Sequence, residues 1–298
     1  MTKSYNQLTS YDKKVIVEYY YKNKESKLED ISKKLDISGR GVSRVLQEEN
    51  INTRLKNRYT LNEDYFSNID TEAKAYILGF IYADGFVGNE KFNNIVISIN
   101  DIEILRFISK EFEFTGTIRK TKKGGFPNSK NGYSLNFSSR IMAEKLREIG
   151  LYPNKSLTIS KLPNIKDELM RHFIRGYFDG DGSILISHNT SYYKSYNGNI
   201  KYTYPTYNFM ILGTESFLRE IKEVAKFEYA KIYDTKTNQI KCLKICAKKE
   251  FEKIFEYLYF DSTIKLERKY NKWNEIRSAF IAGVIKQMGW IAGKTLEP

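Results

Sequence analysis

The spacing of apolar residues changes several times along the chain, and each change marks an element. In residues 13 to 50, KVIVEYYYKN precedes LEDISKKLD, a break at Ile37-Ser38-Gly39, and RGVSRVLQEEN. Leu28, Ile31 and Leu35, then Ile37, then Val42, Val45 and Leu46 have the spacing of two helices crossing over a tight turn. Residues 50 to 58, ending in INTRLKNR, are polar and read as a linker. From Tyr59 onward one order of elements occurs twice. An apolar segment ending in Ala83-Asp84-Gly85 leads into strand-like NNIVISIN and a helix opened by Asp101. Strands around TGTIRK and YSLNFSS and the helix RIMAEKLREIG follow. HFIRGYFDGDG then opens a second round: strands SILIS and YTYPTYNFMIL, helix ESFLREIKEVAKF, strands YAKIYDT and IKCLKIC, and helix KKEFEKIFEYLYF. A repeat at about a hundred residues describes two similar domains facing each other, since solenoid units are shorter. The expected fold class is α+β: two pseudo-symmetric repeats with antiparallel sheets, preceded by a small all-α unit. The expected boundaries are 1–58, 59–165, 166–275 and a tail 276–298, whose apolar AFIAGVIKQMGW is suited to docking on the second repeat.

Composition narrows the class. Two or three packed units suit 298 residues, and 41% hydrophobic with 14% aromatic residues excludes a disordered chain. A formal charge of +13 favours a polyanionic partner. No apolar signal core opens the chain, and no run approaches the ~20 residues that span a bilayer, so the expectation is a soluble intracellular protein, cytoplasmic or organellar. Cys242 and Cys246 lie on one face of a strand with Lys244 between them. Two ligands do not close a structural zinc site, and both are read as reduced packing residues.

The segments that open the repeats are Ile77-Leu78-Gly79-Phe80-Ile81-Tyr82-Ala83-Asp84-Gly85 and Ile174-Arg175-Gly176-Tyr177-Phe178-Asp179-Gly180-Asp181-Gly182. Small residues four apart share one helix face and let another helix come close, so Gly79 and Ala83 are expected to pack against Gly176 and Gly180. Helices packed in parallel bring their C-terminal ends together, and these ends carry Asp84 and Asp181. A carboxylate is disfavoured there by roughly 0.3–1 kcal/mol, because that end of the helix dipole is already negative. Two side by side repel further. Matched placement of such residues points to a bound divalent cation, and oxygen ligands without His or Cys favour Mg²⁺.

These segments resemble the paired motifs of single-chain LAGLIDADG homing endonucleases, and the similarity extends over nearly all of residues 59 to 275. Leu78, Tyr82 and Arg175 depart from the name pattern, but the last aspartate of each motif is intact. The resemblance implies two αββαββα halves that hydrolyse both strands of double-stranded DNA. Asp84, Asp181 and the carbonyls of Ala83 and Gly180 are implied to hold Mg²⁺, with Mn²⁺ or Ca²⁺ able to replace it in binding. It further implies one phosphate-site lysine per half, carried onto Lys155 and Lys265. His172 and His188 take no part: His172 is read as packing or surface.

Sequence readout is expected from outward strand positions: Thr117, Arg119, Thr121, Ser134, Asn136 and Ser138 in the first half, and Tyr202, Tyr204, Tyr207, Asn208, Lys231, Tyr233 and Lys236 in the second. Strands of about 10 residues in each half would cover about 10 base pairs apiece. The N-terminal unit resembles a helix-turn-helix, with Arg40, Ser43, Arg44 and Gln47 on the exposed side of its second helix and the linker suited to following phosphates. The expected partner is a long non-palindromic duplex site bound by a monomer. Starting at Met1 with this unit and ending at Pro298 without a His-Asn junction, the chain reads as an intron-encoded or freestanding nuclease, not an intein. A non-cutting transcription regulator and an RNA maturase are the alternatives.

Overall fold

Helices appear where apolar residues recur at three- and four-residue spacing, and the polar ends of those runs supply the caps. A computed structural model describes residues 2–23, 28–51, 59–121, 132–196 and 198–294, with the backbone alone for 195, 199, 202 and 281–294. The chain divides into Met1–Arg58 and Tyr59–Pro298.

The first unit holds α1 (Ser10–Lys22), α2 (Leu28–Leu35) and α3 (Gly39–Glu48). Thr9 and Asp12 form a reciprocal capping box at the start of α1, and the Ser38 hydroxyl caps α3 by accepting from the Gly41 N–H. Asp36, with φ of 51°, turns the chain out of α2. Ile16, Ile31, Ile37, Val42, Val45 and Leu46 form the core. The linker residues 52–58 lie outside the described residues.

The second unit carries the repeat. In its first half α4 (Glu72–Asp84), β1 (Gly85–Val87), β2 (Asn94–Ile99), α5 (Ile102–Glu111), β3 (Arg119–Thr121), β4 (Gly132–Ser138) and α6 (Arg140–Glu148) are followed by one turn of helix, α7 (Lys155–Thr158). Its second half runs α8 (Asp167–Asp181), β5 (Gly182–Ser195), β6 (Gly198–Gly213), α9 (Glu215–Val224), β7 (Lys231–Asp234), β8 (Lys241–Ile245), α10 (Lys248–Tyr259) and α11 (Glu267–Lys294). The sheets are antiparallel with orders β1-β2-β4-β3 and β5-β6-β8-β7, so the fold is α+β with the same topology twice.

Period-two alternation gives each sheet a buried and an open face. Ile95, Ile97, Leu135 and Phe137 enter the core of the first half, as do Phe209, Ile211, Leu243 and Ile245 in the second. Cross-strand register groups Ser98, Ser134 and Arg119 on one open row and Val96 and Asn136 on the next. In the second sheet the open rows are Met210, Lys244 and Lys231, then Leu212, Cys242 and Tyr233.

Several expectations change here. Strand lengths are far from even: β1 has 3 residues, while β5 and β6 have 14 and 16. Tyr207 lies on the buried face, its ring 4.7 Å from that of Phe280, and so leaves the outward set. Cys242 and Cys246 are free but follow the open face, and Cys246 is exposed beside Asn208; with Lys244 between them, neither packs in the core. No break falls at residue 275, because α11 continues through it, anchored by buried Trp273, Ile276 and Phe280. Among the described residues no helix is long and apolar enough to cross a membrane.

Candidate active site at the ends of two packed helices

Helix α4 is buried along its whole length from Ala75 to Ala83, and α8 is buried over most of its own. A helix apolar on all sides needs neighbours on all sides, and these two pack on each other. A Cβ built on Gly79 would lie 2.0 Å from the Phe173 carbonyl oxygen, and one on Gly176 would lie 2.0 Å from that of Tyr76. The contact is reciprocal: each glycine receives the backbone three residues before the other. Farther along, a Cβ on Gly180 would meet the Ala83 methyl at 2.3 Å and Asp84 Oδ2 at 3.4 Å. No side chain fits at these three positions without moving a helix.

This packing brings the helix ends, and Asp84 and Asp181, together. Burial, then the neighbouring Asp181 charge, push the Asp84 carboxyl up to about 6, against the pull of Lys269, Lys155 and Arg268. Asp181 is also raised, chiefly by burial. Among the described residues no hydrogen bond reaches either carboxylate, so their oxygen lone pairs stay open.

The final carbonyls of a helix lack backbone partners, and here two buried lysines take that place. Lys155, 6% exposed, donates from Nζ to the carbonyls of Tyr82 at 2.6 Å and Ala83. Lys269, 5% exposed, donates to Phe178 at 2.5 Å, Asp179 at 2.8 Å, Gly180 at 3.4 Å and Gly182 at 2.5 Å. Burial lowers the pKa of both, that of Lys269 to about 8. The second lysine of the site is therefore Lys269, not Lys265, whose Nζ sits 3.8 Å over the Tyr270 ring. Lys155 opens α7 and Lys269 lies in the first turn of α11. That shared place at a helix start is the signal the chain offers, whereas residue counting from the preceding helix selects Lys265. The two ammonium groups also offset the carboxylate repulsion that residue spacing alone assigns to a cation.

Two buried polar residues give no sign of themselves in the sequence. Asp179, fully buried, accepts from Tyr76 Oη at 2.8 Å, Tyr259 Oη at 3.0 Å and the Leu266 N–H at 2.8 Å. Arg175 is 0% exposed; it donates to the carbonyls of Ile264 and Leu258 and pairs with Glu72 of the other half at 2.6 Å. Glu72, Leu258 and Ile264 stand far away in sequence, so no local pattern announces them. His172, also buried, lies 2.8 Å from Arg175 and belongs to this structural network.

Arg119, Asn136 and Ser138 are exposed on the open face; Thr117 is exposed and Thr121 half-buried, while Ser134, paired with Ser98 and Arg119, is buried and leaves the outward set. In the second half Lys231 and Tyr233 are exposed on the open face, Tyr204 is half-buried on the same face of β6, and Lys236 stands in the turn after β7. Tyr202 lies in β6, its side chain outside the described ones. In the first unit Arg40, Arg44 and Gln47 are exposed and Ser43 half-buried on α3; Arg44 stacks 4.2 Å over the Tyr5 ring and lies 3.7 Å from Glu48.

Fold and site together define a two-repeat α+β protein with one acid from each repeat at a shared helix interface. Residues 168–259 match the LAGLIDADG-like domain family. The structure is similar to that of the I-LtrWI LAGLIDADG homing endonuclease bound to target DNA, with a TM-score of 0.51 at 16% identity, covering 74% of this chain and 92% of that one. The LAGLIDADG meganuclease I-AabMI bound to uncleaved DNA aligns with a TM-score of 0.47 at 13% identity over 72% and 91% of the two chains. An uncharacterized protein of Methanocaldococcus jannaschii is 25% identical over 168 residues, 52% of this chain and 59% of that protein. The chain thus spans under two thirds of the curated relative's length. The family match lies in the second repeat, and the fold is that of the I-LtrWI LAGLIDADG homing endonuclease.

Proposed function

We propose that this chain is a Mg²⁺-dependent, site-specific endonuclease that cuts both strands of double-stranded DNA at a long non-palindromic site, acting as a monomer. The observation that carries this reading is the meeting of Asp84 and Asp181, open to a ligand, with buried Lys155 and Lys269 beside them.

The donor set fits a hard cation. Asp84, Asp181 and the carbonyl oxygens of Ala83 and Gly180 are all oxygen, with no His or Cys among them. Among the described residues no group of three or more His, Cys, Asp or Glu side chains is suited to a metal, so the two acids depend on backbone oxygens to complete a set. A cation held there would share the Ala83 carbonyl with Lys155 and the Gly180 carbonyl with Lys269. Bound Mg²⁺ supplies Lewis acidity at the phosphate and activation of water. The protein's own part is positional: Asp84 and Asp181 hold one acid toward each strand, Lys155 and Lys269 keep positive charge at the phosphates, and the open sheet faces orient the duplex.

Asp84→Asn and Asp181→Asn test this, since neither side chain builds the core. Double-strand cleavage of a selected site should fall to background for each, while gel-shift affinity in Ca²⁺ stays within about threefold, far below the effect of removing a buried group. Undiminished double-strand cutting by either variant overturns the assignment. Tight site-specific binding without cutting by the unaltered protein would favour a regulator instead.

A further inference from the structure

Of the acids in the two motif segments, Asp179 alone has no part in the chemistry above. It is fully buried on α8, and a buried charge is costly enough that well-packed apolar replacements are often neutral or stabilising. The fold does not demand an acid there. At the same motif position the first repeat has Tyr82, whose hydroxyl donates to the Ile149 carbonyl at the end of α6 at 2.8 Å.

What the acid adds is a closed loop of contacts that ends on Lys269. Asp179 Oδ2 accepts at 2.8 Å from the N–H of Leu266, the residue just before α11. The Leu266 carbonyl accepts from the Lys269 N–H at 2.9 Å. Lys269 Nζ then returns to the Asp179 carbonyl at 2.8 Å. The carboxylate is fixed from two more sides, Oδ2 by Tyr76 Oη of α4 and Oδ1 by Tyr259 Oη of α10. Asp179 thus ties the first turn of α11 to the last turn of α8, where Lys269 enters the site. Its charge also acts on the Lys269 ammonium more strongly than that of Asp84 or Asp181. In the first repeat the Tyr82 hydroxyl reaches α6 and not α7, so among the described residues no matching loop holds Lys155.

We propose that Asp179 is a positioning residue that holds the start of α11 so that the Lys269 ammonium stands beside Asp84 and Asp181, and that it serves this lysine alone. The expected effect on cleavage rests on the endonuclease reading above; the expected effect on Lys269 does not.

Asp179→Asn keeps the volume and removes the charge on which three donors converge. Strand cleavage in Mg²⁺ is followed under single turnover at saturating protein, on a duplex selected from a randomised pool by the parent chain. Rates are compared in the parent and in the Lys269→Met background. The substitution should slow cleavage about tenfold in the parent, within the ~10² that a misplacement of about 1 Å costs. With Lys269 already replaced it should cost less than about twofold, because residues acting as a unit are not additive. A second readout needs no DNA: acetic anhydride labelling of the folded protein, with mass spectrometry of each lysine. Lys269 should label about tenfold faster in Asp179→Asn as its segment opens locally, while Lys155 stays within about twofold of its parent rate. Tyr259→Phe removes one neutral donor and leaves the acid. It should give the same pattern at about threefold, and it carries the test if Asp179→Asn does not fold. Equal slowing in both backgrounds, equal rises in labelling of the two lysines, or no change in either readout overturns the proposal. If the parent cuts no selected duplex, the endonuclease reading falls, and labelling by itself decides whether Asp179 holds Lys269.

Discussion

Lys269 has two tasks that both need its ammonium charged: it donates to four carbonyls at and just after the end of α8, and it keeps positive charge next to Asp84 and Asp181. Removing it strips both a buried donor and the site's charge balance. Lys269→Met should reduce cleavage by about 10²-fold, as the removal of preorganised charge does, whereas Lys265→Ala should stay within about threefold because its ammonium rests on the half-buried Tyr270 ring. Strand-cleavage rates at saturating protein distinguish them, and an equal loss for both would return the role to Lys265. At this scale the aspartates and glycines were legible, because helix period and residue size alone fix which of them face each other. Lys269, Asp179 and Arg175 were not, since their roles depend on where a later loop returns. Arg175 shows the difficulty: an arginine inside an otherwise apolar helix is disfavoured by burial, and Glu72, 103 residues earlier, together with the carbonyls of Leu258 and Ile264 makes it tolerable.

Two elements, α4 and α8, set the geometry of everything else. Their separation is fixed by backbone meeting backbone at Gly79 and Gly176, so a methyl group there has no flexible neighbour to displace. Gly176→Ala should cost about 3 kcal/mol, the upper end of overpacking, and lower Tm by about 6–12 °C for a unit of this size. Calorimetry of the full chain checks it, and a Tm within about 2 °C of the parent, under 1 kcal/mol by the same scaling, would mean that the helices separate easily. Element types and order followed from periodicity, because burial on one face imposes period two on strands and three to four on helices. Strand lengths did not follow, since β5 and β6 run on past the buried core, where alternation no longer has an apolar side to report it.

At the scale of the whole molecule, Arg40 and Arg44 are exposed on α3 of the first unit, and the aspartates belong to the second. Every phosphate that a protein neutralises adds about one unit to the slope of binding against salt. Removal of residues 1–58 should therefore weaken binding and flatten its dependence on salt, measured by anisotropy across a KCl series, while cleavage survives at higher protein concentration. An unchanged slope would show that this unit neutralises no phosphates. The ion pair between Glu72 and Arg175 has a consequence at the same scale. Counting seven residues back from each motif glycine gives Glu72 in one repeat and Leu169 in the other; counting one back gives Leu78 and Arg175. Two copies of the first repeat, put face to face, would bury two carboxylates against leucine. Two copies of the second would bury two guanidinium groups in the same way. Neither repeat tolerates its own likeness as a partner, so pairing of like with like is closed to both, and halves held this way are free to diverge toward different sequences.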